Sequence, residues 1–270
     1  MKFKIRAAGI AFCGECAGTE NRAKMDADAK IIDLGVFMGQ SNMAGRGNAK
    51  EAPRVKKGLG YEYRAITEPE RLAELQEPFG VNENNPSGVY EPGMKTGSMV
   101  AAFVNACTER TKTPIVAVSC AKGGSAIAQW LPGTAYYQDA LDRVRKCKKW
   151  LSENGYHIRH AYMVWCQGCT DGDLRTPKAV YRENTSAMLQ AFLKEAEMEV
   201  CFLIQIGNQR DDPQLYLPIR QAQEEIAAQY GNIVMVSRSF QTFAAKGLTK
   251  DRFHYLQEGY NIVGREAGDK

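Results

Sequence analysis

A single three-layer α/β/α domain on a five-stranded parallel sheet is the fold that residues 31–270 predict. Three observations predict it. Five short apolar runs rich in β-branched residues have the length and near-continuous hydrophobicity of strands covered on both faces. Helix-length segments separate these runs, and that alternation means βαβ crossovers. Polar, glycine-containing blocks then follow the strands' carboxyl ends, where open parallel sheets bind their ligands.

The first strand covers residues 31–38 and runs into Gly39-Gln40-Ser41-Asn42-Met43, which opens a helix. Residues 46–95 break the rhythm. Pro53, Pro69, Pro78, Pro86 and Pro92, with several Gly and Asn, read as one elaborated loop region over the top of the sheet, with a short helix near 69–76. A helix over 97–109 leads to the second strand, 114–120, and to the block Ala121-Lys122-Gly123-Gly124-Ser125. The next helix, 137–151, carries the basic run Arg143 to Lys149, read as its solvated face. Strand three, 161–166, ends in Gln167-Gly168-Cys169-Thr170-Asp171, and a helix follows over 178–197. Strand four spans 200–206. In the helix over 214–230, Leu217, Ile219 and Ile226 alternate with outward Gln and Glu. Strand five, 232–236, leads to a loop holding Asp251-Arg252-Phe253-His254 and to a closing helix over 256–266.

A chain of 270 residues buries a full-size core, and 44% apolar and 24% charged residues are ordinary for a soluble globular protein. The net charge of +4 arises from 35 basic and 31 acidic residues that are interspersed, so neither a nucleic-acid nor a membrane partner is expected. No run approaches the ~18 apolar residues of a membrane span. At the N-terminus the apolar stretch from Ala7 to Phe12 is shorter than the ~7–15 residues of a signal-peptide core, which favours a cytoplasmic address, with secretion as the alternative. Residues 14–30 are polar and patternless, so residues 1–30 read as a poorly ordered extension outside the domain. Eight cysteines, several inside apolar runs, read as reduced and buried. Cys13-x-x-Cys16 and Cys166-x-x-Cys169 lack the ~15–20 residue separation of a four-cysteine zinc site, so no metal or other cofactor is expected.

A serine hydroxyl needs a base, and the chain offers three histidines. His157 and His160 precede strand three, at the wrong end of the sheet. His254 follows a strand's carboxyl end, and Asp251 three residues earlier can reach one imidazole nitrogen while the other faces Ser41. Acyl transfer also needs donors aimed at an oxyanion. The backbone N–H of Ser41, the Gly123-Gly124 turn and the side-chain amide of Gln167 are the candidates. Trp130 and Trp165 can contact sugar rings or pack against the sheet, and Arg46 reads as a salt-bridged structural residue.

The strings VFMGQSNMAGRG, AKGGSAIAQW, WCQGCTD and DRFHYLQEGY, in that order over residues 31–266, resemble the SGNH-hydrolase superfamily. Within it they are most similar to the sialate O-acetylesterase and carbohydrate esterase family 6 acetylxylan esterase group. The resemblance implies a flavodoxin-like sheet and removal of acetyl groups from O-acetylated carbohydrates without a metal. It implies Ser41 as nucleophile, Asp251 and His254 as its partners, and Gly124 and Gln167 as oxyanion donors beside the N–H of Ser41. In the third block this family usually reads Trp-His-Gln-Gly-Glu-Ser-Asp, and Cys166 and Cys169 stand here for the His and Glu. The alternatives are a lipid or thioester hydrolase on the same scaffold, or a catalytically silent sugar-binding protein.

Overall fold

The computed structural model describes residues 30–270; Cys13, Cys16 and the expected extension, apart from Lys30, lie outside the described residues. Seven strands form one sheet: β1 (Lys30–Gly39), β2 (Gly60–Tyr63), β3 (Leu72–Glu74), β4 (Ile115–Ala121), β5 (Tyr156–Cys166), β6 (Val200–Ile204) and β7 (Ile233–Ser237). Their order is β3-β2-β4-β1-β5-β6-β7. All neighbouring pairs are parallel except β2 with β3. The helices are α1 (Ser41–Ala44), α2 (Val100–Thr111), α3 (Ala135–Glu153), α4 (Cys169–Asp173), α5 (Lys178–Glu195), α6 (Leu217–Gln229) and α7 (Gln257–Gly268).

The side chains of β1 divide the core. Leu34, Val36 and Met38 face one apolar layer, which also holds Leu141 of α3, Leu189 of α5 and Ile226 of α6. Phe37 points the other way, against Phe103 of α2 and into the layer that holds Val263 of α7. Each fully buried aliphatic side chain contributes roughly 1.5–3 kcal/mol, so both faces are strongly specified. On the second face α7 packs unusually close to α2. A Cβ on Gly264 would lie 2.3 Å from the carbonyl oxygen of Met99, and one on Gly268 would lie 2.4 Å from that of Phe103.

The α/β/α architecture and the five expected strands are present, but the sheet has seven strands instead of five. The two additional ones, β2 and β3, lie in the segment read as loop, and Leu72–Glu74 is a strand where a short helix was expected. Runs of three and four residues are too short to carry a readable period. This segment therefore extends the sheet at its β4 edge. Arg143 corrects a second expectation: it is 1% exposed, not solvated. Asp139, one turn earlier, pairs with it at 2.8 Å, and its guanidinium donates to the carbonyls of Glu83, Val89 and Ser119. Paired and fully hydrogen-bonded, the buried charge ties the inserted segment to α3. His157 and His160 belong to β5 itself, at its amino end.

Candidate active site

Five strands in the order β4-β1-β5-β6-β7 leave a crevice where the connections from β1 and β5 diverge to opposite faces. Ligands bind in such crevices. Ser41 stands at the carboxyl end of β1, as the first residue of α1, and is 5% exposed. The chain turns there because Gln40 bridges two strands: its N–H donates to the carbonyl of Cys166 at 2.9 Å, and its Oε1 accepts the N–H of Gly168 at 2.7 Å.

Asp251 and His254 come from the loop before α7. One carboxylate oxygen of Asp251 accepts the backbone N–H groups of Phe253 at 3.0 Å and His254 at 2.8 Å, which closes a tight turn. Its other oxygen lies 2.7 Å from His254 Nδ1, and His254 Nε2 lies 2.9 Å from Ser41 Oγ. A carboxylate only accepts, so Nδ1 carries the proton and Nε2 accepts from the serine hydroxyl. Burial holds the imidazole below its ordinary value, against the opposing pull of Asp251. Burial also acts to raise the Asp251 carboxyl, but the hydrogen bonds from Phe253 and His254 outweigh it and hold the group below its ordinary value. Near neutral pH the arrangement is therefore a neutral imidazole between a carboxylate and a hydroxyl, which is what a general base requires.

Asn42 fastens the late loop to the early one. Its amide nitrogen donates to the carbonyl of Phe253 at 3.0 Å, and its oxygen accepts the Tyr260 hydroxyl at 2.8 Å. Lys250 Nζ donates to the carbonyl of Arg46 at 2.7 Å. Sequence reasoning passed over Gln40 and Asn42 as parts of the site, because amide side chains carry no charge signal. Their positions on either side of Ser41 were the available hint.

A cleft of about 550 Å³ opens over these groups and is lined by Ser41, Gly123, Gly124, Cys169 and His254, with Tyr90 and Met94 on its wall. Among the described residues, the backbone N–H of Ser41 and that of Gly124 have no acceptor. Gly124 has φ +69°, where a side chain is strained, and a Cβ there would meet nothing within 4 Å. The glycine serves the turn's conformation.

Gln167 departs from expectation. Its side chain is fully buried, and its amide nitrogen donates to the carbonyl of Ser125 at 3.0 Å and to Asp171 at 2.6 Å. Both amide protons are thereby used, and none is aimed at the cleft. Asp171 is raised from its ordinary value by burial, although Gln167, the N–H of Ile127 and Thr176 counter this. Gln167 thus ties the β5 loop to the Gly124 turn through Ser125.

Trp130 and Trp165 are fully buried and pack edge to face at 5.6 Å, so neither faces a ligand. Trp130 donates to Ser125 Oγ at 2.9 Å. Arg46 is buried and ion-paired with Glu91, as a structural residue would be, and both border the cleft. Burial pushes the Cys169 thiol up to about 12 and Cys166 well above its ordinary value, so both stay protonated beside the serine.

Residues 32–270 match the family profile described as carbohydrate esterase, sialic acid-specific acetylesterase. No curated protein matches the sequence. A solved structure of a protein from Arabidopsis thaliana superposes with a TM-score of 0.67 at 22% identity, over 89% of this chain and 96% of that one. A structure described as a novel carbohydrate acetylesterase from Xanthomonas citri gives a TM-score of 0.56 at 16% identity, over 87% of this chain. The match covers 54% of that protein, so the chain corresponds to about half its length. At such identities the two likenesses speak for the fold.

Proposed function

From the premise that the chain belongs to the carbohydrate esterase, sialic acid-specific acetylesterase family, we propose that it removes acetyl groups from O-acetylated carbohydrates through an acetyl-enzyme on Ser41. As a member of that family it is a carboxylic ester hydrolase. The observation that carries the finer reading is the unbroken hydrogen-bonded chain Asp251–His254–Ser41, whose serine and imidazole line a cleft that Gly124 also lines.

In the first step Ser41 Oγ attacks the ester carbonyl as His254 Nε2 takes its proton. Asp251 keeps Nδ1 protonated and stabilises the imidazolium that forms. The developing oxyanion is held by the N–H groups of Ser41 and Gly124; Gln167 keeps the Gly124 turn in place without donating to the oxyanion. His254 then gives its proton to the departing sugar oxygen, and the acetyl group remains on Ser41. Water repeats the sequence in reverse, with His254 again as base.

A sugar as the leaving group suits the wall of the cleft. Tyr90 and Met94 are 47% and 52% exposed there, although they are large apolar side chains. Such surface packs against the apolar face of a sugar ring, while Lys122 and Asp173 offer partners for hydroxyls.

Replacement of Ser41 by Ala tests the assignment. Hydrolysis of p-nitrophenyl acetate and of acetylated xylo-oligosaccharides should fall by about 10³-fold or more with the thermal midpoint little changed. A fluorophosphonate probe should label the wild-type protein alone, since only an activated serine reacts. Full turnover or full labelling of the Ala variant would end the assignment.

A further inference from the structure

A second cavity is distinct from the cleft over Ser41. It measures about 630 Å³ and runs beside α2 and the edge strand β3, with Lys50, Arg54, Lys56 and Lys57 along one side. Facing them are Glu74 and Glu77. Glu77 is already committed: its two oxygens accept the N–H groups of Phe79, Ser98 and Ala101 and the Ser98 hydroxyl. Lys56 is paired with Glu109 at 3.1 Å. Lys50, Arg54 and Lys57 are exposed, and among the described residues none has a carboxylate within ion-pair distance. Three cations free of ion pairs therefore line the cavity against two carboxylates, Glu74 and Glu77, the second turned to the N–H groups and hydroxyl that it accepts.

The basic segment is held in shape. Asn105 of α2 donates to the carbonyl of Arg54 at 2.9 Å and accepts the N–H of Lys56 at 3.4 Å, while Asn48 accepts the N–H of Lys50 at 3.2 Å. Between the cations lie Pro53, Val55 and Leu75, so apolar surface alternates with charge. Such a lining suits a ring-bearing chain with charges at intervals better than a compact inorganic anion. The cavity begins at Ala49, three residues after Arg46 in the active-site cleft. Those two positions are therefore at most about 11 Å apart, and a chain of several sugar units is long enough to extend from this end of the cavity into the cleft.

We infer that this cavity is an anchoring subsite for acidic polysaccharide, in which Lys50, Arg54 and Lys57 pair with the carboxylates of uronate sugars while an acetylated unit of the same chain lies over Ser41. The inference rests on the carbohydrate reading above, but its test does not require turnover.

The full-length Ser41→Ala protein is titrated by calorimetry with polygalacturonate and with neutral, unsubstituted xylan. Polygalacturonate should bind at least about tenfold tighter than xylan, since three exposed charge pairs together approach one decade in affinity, and added salt should weaken it. In the same background K50Q/R54Q/K57Q should lose that preference, whereas K50R/R54K/K57R should retain it. All three side chains are exposed, and unchanged thermal midpoints would establish that both variants are folded. Equal affinity for the two glycans, a Gln variant that binds as before, or a DNA duplex binding as tightly as polygalacturonate would overturn the inference. Absent esterase activity with binding intact would count against the proposed function alone.

Discussion

In the proposed mechanism, protonation of one imidazole governs the reactivity of Ser41. His254 must be neutral to take the serine proton, and burial favours that neutral form. The acidic limb of kcat/KM against pH should therefore turn below the ordinary imidazole value of 6.5, activity being lost as pH falls through the lowered value. Asp251→Asn removes an influence that raises the imidazole, so the limb should move lower still. Its plateau should fall by about 10³–10⁴-fold, because the favoured tautomer is lost. Both shifts are read from profiles on p-nitrophenyl acetate. At this scale the sequence was informative about charge and silent about amides. Ser41, Asp251 and His254 could be chosen because a hydroxyl, a carboxylate and an imidazole at strand ends carry a chemical signature. The Gln167 side chain looked like a free donor, and only its neighbours Ser125 and Asp171 disclose that it is engaged. Asn42→Ala should lower kcat by roughly 10–100-fold and slow fluorophosphonate labelling in proportion, since it frees the His254 loop from the serine turn.

Among the elements, β1, β4, β5, β6 and β7 were legible because strands covered on both sides are apolar almost throughout. The edge strands β2 and β3 were not: they are short, one is only partly buried, and prolines surround them. The contact between α2 and α7 was equally hidden, because a glycine at a helix crossing reads in sequence as a mere weakness in the helix. Gly264→Ala would press a methyl group into the backbone of α2. The expected cost is about 1–3 kcal/mol, seen as a thermal midpoint several degrees lower. Activity should fall as well, because α7 carries Tyr260, which holds Asn42.

Across the molecule the sheet separates two apolar layers, and their reporters are unequal. Trp130 and Trp165 are buried in the layer of α3, α5 and α6, and Trp150 packs against it. The loop that delivers His254 packs on the opposite layer through Phe243, Leu248 and Tyr255, with Phe253 turned to the tryptophan layer; it is largely exposed between Ala244 and Arg252, and is fastened by contacts such as those from Asn42 and Lys250. Loosely held segments open at lower free energy than packed strands. Rising urea should therefore abolish esterase activity before tryptophan fluorescence changes. Coincident transitions would mean that the loop is as firmly held as the sheet. The hydroxyl and the imidazole that meet at 2.9 Å are 213 positions apart in the chain. Translation proceeds from the amino end, so a nascent polypeptide displays its serine long before the histidine emerges. If the proposed mechanism holds, hydrolytic power cannot arise before the segment that carries His254 has been made.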